Sequence, residues 1–347
     1  PGDPNTRTGG YIYDARITAG LRDLGWAVDV RRLHDGFPTP NSAAVAHAAQ
    51  QLEAIEDHAL VLIDGLAFGA MPSLAHQHRE RLTLFALVHH PLAAETGLSR
   101  QQTEMLARSE RNALAAAHHV IVTGARTATT LATHYAVPES KLSVVVPGTD
   151  SLARRPKQSR TMIVDADVRL LCVATVTPRK GHDVLIDALA PLAGQGWQLR
   201  CAGSLERSTS CVRHVQRAIE AAGLREQVQL LGEVDSAALQ ACYDWADVFV
   251  LPTHLEGYGM ALAEALANGL AIITTKGGAA ADTVGAQAAL LVPPADAGAL
   301  SAALQRVLHE PSLRRDLAAG ARQRAQQLPS WTDAALAMQH VLQRHAA

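Results

Sequence analysis

The stretch Leu251-Pro252-Thr253-His254-Leu255-Glu256-Gly257-Tyr258-Gly259-Met260-Ala261-Leu262-Ala263-Glu264 sets two carboxylates eight residues apart around a glycine-rich turn. The apolar run Val248 to Leu251 leads in and reads as a buried strand; the Ala- and Leu-rich run Met260 to Ala267 leads out and reads as a helix. A strand, a glycine turn and a helix start are how α/β proteins present backbone N–H groups to an anion. Glu256 stands at the mouth of the turn, and Glu264 lies more than a helical turn beyond it. Two carboxylates beside a phosphate would repel it, but they suit a ligand that also offers hydroxyl donors. The turn therefore predicts a ligand carrying both an anion and hydroxyls.

Upstream, the apolar run Arg169 to Ala174 opens into a second turn, Ala174-Thr175-Val176-Thr177-Pro178-Arg179-Lys180-Gly181. The chain has 31 Lys+Arg but only four lysines, Lys141, Lys157, Lys180 and Lys276. A lysine beside a glycine at a strand-to-helix turn then reads as a need for a compact ammonium. A solvated turn lysine is the plainer reading.

The same rhythm runs in both directions. Strands are predicted at Arg169 to Ala174, Gln198 to Ala202, Val228 to Leu231, Val248 to Leu251, Leu270 to Thr274 and Ala289 to Val292. Helices are predicted at Asp183 to Leu192, Cys211 to Ala222, Ser236 to Trp245, Met260 to Ala267 and Ala297 to Leu308. The first half repeats the alternation. Strands are predicted at Trp26 to Leu33, Ala59 to Ile63, Leu82 to His89, His119 to Thr123 and Leu142 to Val146, and helices at Tyr11 to Leu24, Ala43 to Ile55, Arg100 to Ala116 and Arg126 to Tyr135. Such βαβ alternation implies mostly parallel sheets with helices on both faces, ligands binding beyond the carboxyl ends of the strands. Thr149 to Asp167, rich in Arg, Pro, Lys and Ser, breaks the pattern and reads as a linker. The chain opens at Pro1-Gly2-Asp3-Pro4 and enters the loop Thr6-Arg7-Thr8-Gly9-Gly10 at once, so a stretch before Pro1 is expected to supply the buried strand that such a loop follows.

Composition narrows the class. A length of 347 residues suits about two domains, and 48% apolar content with few aromatics suits Ala/Leu/Val-rich α/β layers. A net charge of −2 argues against a nucleic-acid partner. Cys172, Cys201, Cys211 and Cys242 show neither metal nor disulfide spacing and read as buried thiols of a reducing compartment. No apolar run has the length of a membrane span and no secretory signal is visible. The expected location is cytoplasmic, with a peripheral membrane contact left open.

Taken together, Leu251 to Ile273, the Arg179-Lys180-Gly181 turn and the downstream Gly277-Gly278 resemble the donor site of the retaining GT-B glycosyltransferases of family four, the glycosyl transferases group 1. The similarity runs over most of the chain and is densest from Leu170 to Pro294. It implies two Rossmann-like domains facing across a cleft: an acceptor domain at residues 1–150, a linker at 151–168, a donor domain at 169–329, and a final helix at 330–347 returning to the first domain. It also implies a nucleotide-sugar donor, UDP- or GDP-linked, an acceptor that is a glycan, a lipid or a small molecule, and no cofactor.

Residue by residue, the resemblance assigns Glu256 to the donor sugar's hydroxyls, Glu264 to the ribose, and the backbone N–H groups of Gly257, Tyr258, Gly259 and Met260 to sugar and phosphates. Lys180 would meet the pyrophosphate and neutralise the leaving group. The family's usual arginine five residues before that lysine is Thr175 here, which leaves Arg179 as the neighbouring cation. Gly9 and Gly10 would let the backbone approach the diphosphate or acceptor closely. His89-His90-Pro91 ends a strand where family members commonly have a histidine near the reacting carbon, and His90 is slightly preferred as catalytic beside Glu256 and Lys180. Packing or capping before Pro91 is the plainer role.

Two motifs are set aside. Asp165-Ala166-Asp167 matches a metal-binding D-x-D but falls in the linker, where a solvated turn suffices, so no metal site is predicted. Gly277-Gly278 lacks the spacing of a dinucleotide fingerprint. No carboxylate pair has the spacing of a retaining hydrolase, so front-face attack on a stabilised leaving group fits better than a covalent intermediate. An epimerase or phosphorylase of the same architecture, and a bilobed solute-binding protein, are the alternatives.

Overall fold

The structure, a computed structural model, describes residues 8–150 and 167–345. The chain forms two compact units, Pro1–Gly148 with Pro329–Ala347, and Thr149–Leu328.

In the first unit the order is α1 (Gly9–Asp23), α2 (Ser42–Glu53), β1 (Leu60–Asp64), α3 (Gly65–Phe68), α4 (Pro72–His78), β2 (Thr83–Val88), α5 (Arg100–Ala116), β3 (His119–Val122), α6 (Ala125–Tyr135) and β4 (Leu142–Val144). The four strands pair in parallel in sequence order. Parallel strands covered on both faces must be apolar throughout, and β2 and β3 are buried along almost their whole length. Helix ends follow local chemistry. Ser99 and Gln102 form a reciprocal capping box before α5, and the Asn41 side chain accepts the Ala44 N–H at the start of α2.

The second unit holds β5 (Val168–Val173), α7 (His182–Leu189), β6 (Trp197–Ala202), α8 (Thr209–Ala221), β7 (Val228–Gly232), α9 (Ser236–Trp245), β8 (Val248–Leu251), α10 (Met260–Ala267), β9 (Ala271–Thr275), α11 (Ala280–Val284), β10 (Ala289–Val292), α12 (Ala297–His309) and α13 (Pro311–Ala325). Its parallel sheet has the order β10-β9-β8-β5-β6-β7. The core is continuous, from Leu170 and Leu171 through Phe249 to Ile272 and Ile273, all buried. The last helix, α14 (Trp331–His345), belongs to the first unit, where Ala334, Ala335, Met338 and Leu342 are buried and the helix packs along α1.

Several elements differ from the sequence reading. Trp26 to Leu33 is not a strand: β1 is the edge of its sheet and pairs only with β2, so this stretch has no ladder partner among the described residues. Side chains hold it instead, Arg22 donating to the Val28 carbonyl at 2.7 Å and Arg31 to that of Gln51 at 2.9 Å. Helix α1 begins at Gly9, two residues before the expected Tyr11, so the glycine pair is its first turn. Four helices, α3, α4, α11 and α13, went unread. The first three have seven residues or fewer, too short for a 3.6-residue period to register, and α13 buries only Leu317 and Ala321. Of the D-x-D residues, Asp165 lies outside the described residues; Asp167 is exposed and its carboxylate accepts from Gln198 at 3.3 Å.

Candidate functional site

The order of the second sheet decides where its ligand groups gather. From β5 the chain moves one way to β6 and β7, and from β8 the other way to β9 and β10. The loops leaving the carboxyl ends of adjacent β5 and β8 therefore diverge, and this switch point is where open α/β sheets bind ligands. The β5 loop carries Arg179-Lys180-Gly181, and the β8 loop carries Glu256 to Gly259.

Each loop is shaped by its own residues. Pro178 to Lys180 form a single 3₁₀ turn, closed by Gly181 in the left-handed conformation, φ 68°. A Cβ there would stand 2.2 Å from the Pro252 carbonyl oxygen, so only glycine lets the two loops touch. The Arg179 carbonyl accepts from the His254 N–H at 2.8 Å and from Thr253 Oγ1 at 3.1 Å. Arg179 Nη1 donates to the Leu255 carbonyl at 2.9 Å. This bond ties the Arg179 guanidinium to the neighbouring loop.

The β8 loop is fixed from its other side. The Glu256 N–H donates to Gly277 and the Ala279 N–H to Glu256 at 2.9 Å, forming a parallel bridge between Glu256 and Gly278. Side chains at Gly277 or Gly278 would collide with the His254 and Glu256 carbonyls at 2.4 and 2.2 Å. That close approach is the structural use of the glycine pair. Threonines complete the frame: Thr275 donates to the Thr253 carbonyl at 2.5 Å, and Thr283 donates to that of Tyr258.

Lys180 and Glu256 meet inside this frame, Nζ to Oε1 at 2.5 Å, with side-chain exposures of 17% and 7%. Burial alone would push the Glu256 carboxyl up. The Lys180 ammonium and the Arg179 guanidinium, with hydrogen bonds from Lys180 and Thr253, outweigh burial and hold it below the usual carboxylate range. The solvated turn lysine of the plainer sequence reading is not what forms: Lys180 is largely buried and paired. Glu264, on α10, accepts a hydrogen bond from the buried Tyr243 phenol of α9 at 2.7 Å. Gly259, φ 93°, caps α10 ahead of Met260.

The sequence reading missed Tyr243, Thr253, Thr275 and Thr283. Each acts across 20 or more residues of sequence, or within a loop whose partners lie that far away, and no local pattern announces such contacts.

In the first unit, a Cβ on Gly10 would stand 3.3 Å from His89 Cδ2. The imidazole beside the glycine turn is thus His89. The preferred His90 instead lies with its Nε2 3.6 Å from Glu95, since neighbouring residues at a strand end project to opposite sides. His89 Nε2 is bracketed by Asp14 at 3.2 Å and Asp64 at 3.5 Å. Burial alone would push this imidazole down, but the two carboxylates push it up to about 10. Asp64 also accepts the Leu66 N–H at the start of α3, and Tyr13 stands edge-on to the ring at 5.4 Å. Neither aspartate was singled out from sequence; they are 50 residues apart, Asp64 being brought to His89 by the β1–β2 pairing and Asp14 by the packing of α1.

Comparison with known proteins defines the class and then the family. The fold is that of the GT-B glycosyltransferases: sucrose-phosphate synthase from Thermosynechococcus elongatus superposes with a TM-score of 0.82 at 23% identity, covering 99% of this chain and 96% of that one. HepE from Anabaena, solved with UDP and glucose, gives 0.75 at 17% identity over 99% and 97%. Residues 154–324, which carry the β5 and β8 loops, match the family "Glycosyl transferases group 1", and this region belongs to that family. Among curated relatives, the MMP alpha-(1->4)-mannosyltransferase of Mycolicibacterium hassiacum is 26% identical over 315 residues, 86% of this chain and 74% of the relative. The D-inositol 3-phosphate glycosyltransferase of Jonesia denitrificans is 29% identical over 230 residues, 62% of this chain and 54% of the relative. The chain thus spans little more than half the length of the latter.

Proposed function

We infer that the protein transfers a sugar from a nucleoside-diphosphate sugar to an acceptor hydroxyl, with retention at the anomeric carbon and without a metal at the phosphates. The observation that carries this reading is the meeting of Lys180 and Glu256, 76 residues apart in sequence, at the β5/β8 switch point. An ammonium and a carboxylate on glycine-built loops suit a ligand that is anionic at one end and hydroxylated at the other. Bound donor would draw Lys180 toward the diphosphate, leaving Glu256 to accept from the sugar hydroxyls. Glu264, oriented by Tyr243, takes the ribose. The N–H groups of Gly257 to Met260, at the start of α10, complete the anion site.

As the glycosidic bond breaks, negative charge grows on the departing diphosphate. Lys180 and the loop amides stabilise it, and the acceptor hydroxyl attacks from the same face. In the first unit Gly10 lies against His89, and the Gly9-Gly10 turn is assigned to the acceptor. His89, held between Asp14 and Asp64, takes the histidine role first assigned to His90, with His90 and Glu95 beside it. Solved neighbours that hold UDP or UDP-glucose support a uridine donor as the first to assay. Relatives named for D-inositol 3-phosphate and mannosylfructose-phosphate support small phosphorylated polyols or sugars as first acceptors.

The deciding experiment is nucleoside-diphosphate release from a panel of UDP- and GDP-sugars, with and without acceptors, followed by NMR of the product. Acceptor-dependent release with a retained anomer supports the reading. Turnover without acceptor to an isomerised donor supports an epimerase, and binding without turnover a solute binder.

A further inference from the structure

Beneath the Lys180 turn the structure gathers three residues that the sequence reading left apart. Cys172 on β5 and Cys201 on β6 are directly paired in the parallel register, so both side chains leave the same face of the sheet. His182, the first residue of α7 after Gly181, reaches over that face and brings Nε2 to 3.7 Å from Cys172 Sγ. All three are buried, and their donor atoms lie within 4.8 Å of one another. We propose that Cys172, Cys201 and His182 form a binding site for a single soft d10 cation, zinc being the one expected.

Two sulfurs and one imidazole nitrogen are the donor set such ions take. A cation about 2.3 Å from sulfur and about 2.0 Å from nitrogen, at near-tetrahedral angles, holds those two atoms roughly 3.6 Å apart. The observed Sγ to Nε2 separation of 3.7 Å matches without rearrangement. His182 Nδ1 is buried and unpartnered. Nε2, which already contacts the Cys172 sulfur, is therefore the ring nitrogen placed to ligate. On coordination each remaining thiol proton passes to solvent. The ion would join β5, β6 and the first residue of α7, bracing the turn that presents Lys180.

The test is metal content after expression in zinc- or cobalt-supplemented medium and desalting, with no nucleotide present, so that failure of the transfer reading leaves it unaffected. The expected results are one zinc per chain, a thiolate-to-cobalt charge-transfer band in cobalt-grown protein, and a melting temperature at least about 4 °C above that of chelator-treated protein. Cys201→Ala and His182→Gln should each lower retained zinc at least about tenfold, while Cys242→Ala, a buried thiol outside the cluster, should retain it. Wild-type protein that keeps less than about a tenth of an equivalent, or a cobalt spectrum without the sulfur band, overturns the proposal. So does undiminished zinc in folded Cys201→Ala and His182→Gln. Should neither variant fold, the wild-type metal content and cobalt spectrum decide.

Discussion

Lys180 and Glu256 were singled out in the sequence because glycine and proline around a charged residue at a strand end form a local pattern. Their pairing was not, and it changes what their replacement should do. Loop residues facing solvent could be replaced without loss of stability, but Lys180→Ala leaves the buried Glu256 carboxylate without its main partner. The cost should lie between the roughly 1 kcal/mol of an exposed pair and the 3 to 5 or so of a buried one. The double variant Lys180→Ala/Glu256→Gln removes the stranded charge and should recover most of the melting temperature while turnover stays about 100- to 1,000-fold down. Recovery of both together would make the pair a folding device only.

A second residue, Glu110, went unread because only the folded core defines its surroundings. One oxygen accepts the Leu92 N–H at 2.9 Å, and burial pushes the carboxyl up to about 7. A carboxyl raised above its unfolded value near 4.5 binds more protons folded than unfolded across that interval, so its contribution to stability falls as pH rises from about 4.5 to 7. Glu110→Gln, which keeps the acceptor, should flatten that part of the stability profile and stabilise the protein at pH 8 by on the order of 3 kcal/mol. Chemical denaturation at pH 5 and pH 8 reads this directly, and an unchanged slope would contradict it.

Among the elements, those with strong periods and clear punctuation were readable. β8, β10, α5, α9 and α10 begin and end at the predicted residues, since capping groups, glycines or short apolar runs bound them. Trp26 to Leu33 shows the converse. Alternation describes a strand's faces but not the neighbour its backbone requires, and that neighbour lies elsewhere in the chain. The turn between β5 and α7 offers the sharpest test at this scale. Gly181→Ala imposes a positive φ on a Cβ and drives it into the Pro252 carbonyl, so it should destabilise by at least about 1 to 3 kcal/mol. It should also weaken nucleotide binding more than Gly223→Ala, whose positive φ meets open space. Equal effects of the two would show that contact between the loops is unimportant.

Across the whole molecule, alternation of strands and helices made two Rossmann-like units readable, while sheet order, which depends on long-range pairing, became visible only in the fold. The β5/β8 switch point is what brings two separate motifs into contact. A further prediction belongs to this scale. If Lys180 and the α10 amides meet the phosphate charge as proposed, initial rates should persist in EDTA, and a loss restored by magnesium or manganese would return a hard metal to the phosphates.

The central claim is that the paired loops bind a nucleoside diphosphate, with Glu264 on its ribose. Calorimetric titration of UDP and GDP into wild-type protein and Glu264→Gln tests it most directly, because glutamine can still accept the Tyr243 hydrogen bond and spare the fold. The account predicts saturable binding of one of the two by the wild type, weakened about 10- to 150-fold in the variant, as expected for a lost charged hydrogen bond of about 1.5 to 3 kcal/mol, with a melting temperature within a few degrees of wild type. Binding of neither nucleotide by the wild type, or equal affinity in the two proteins, would contradict it.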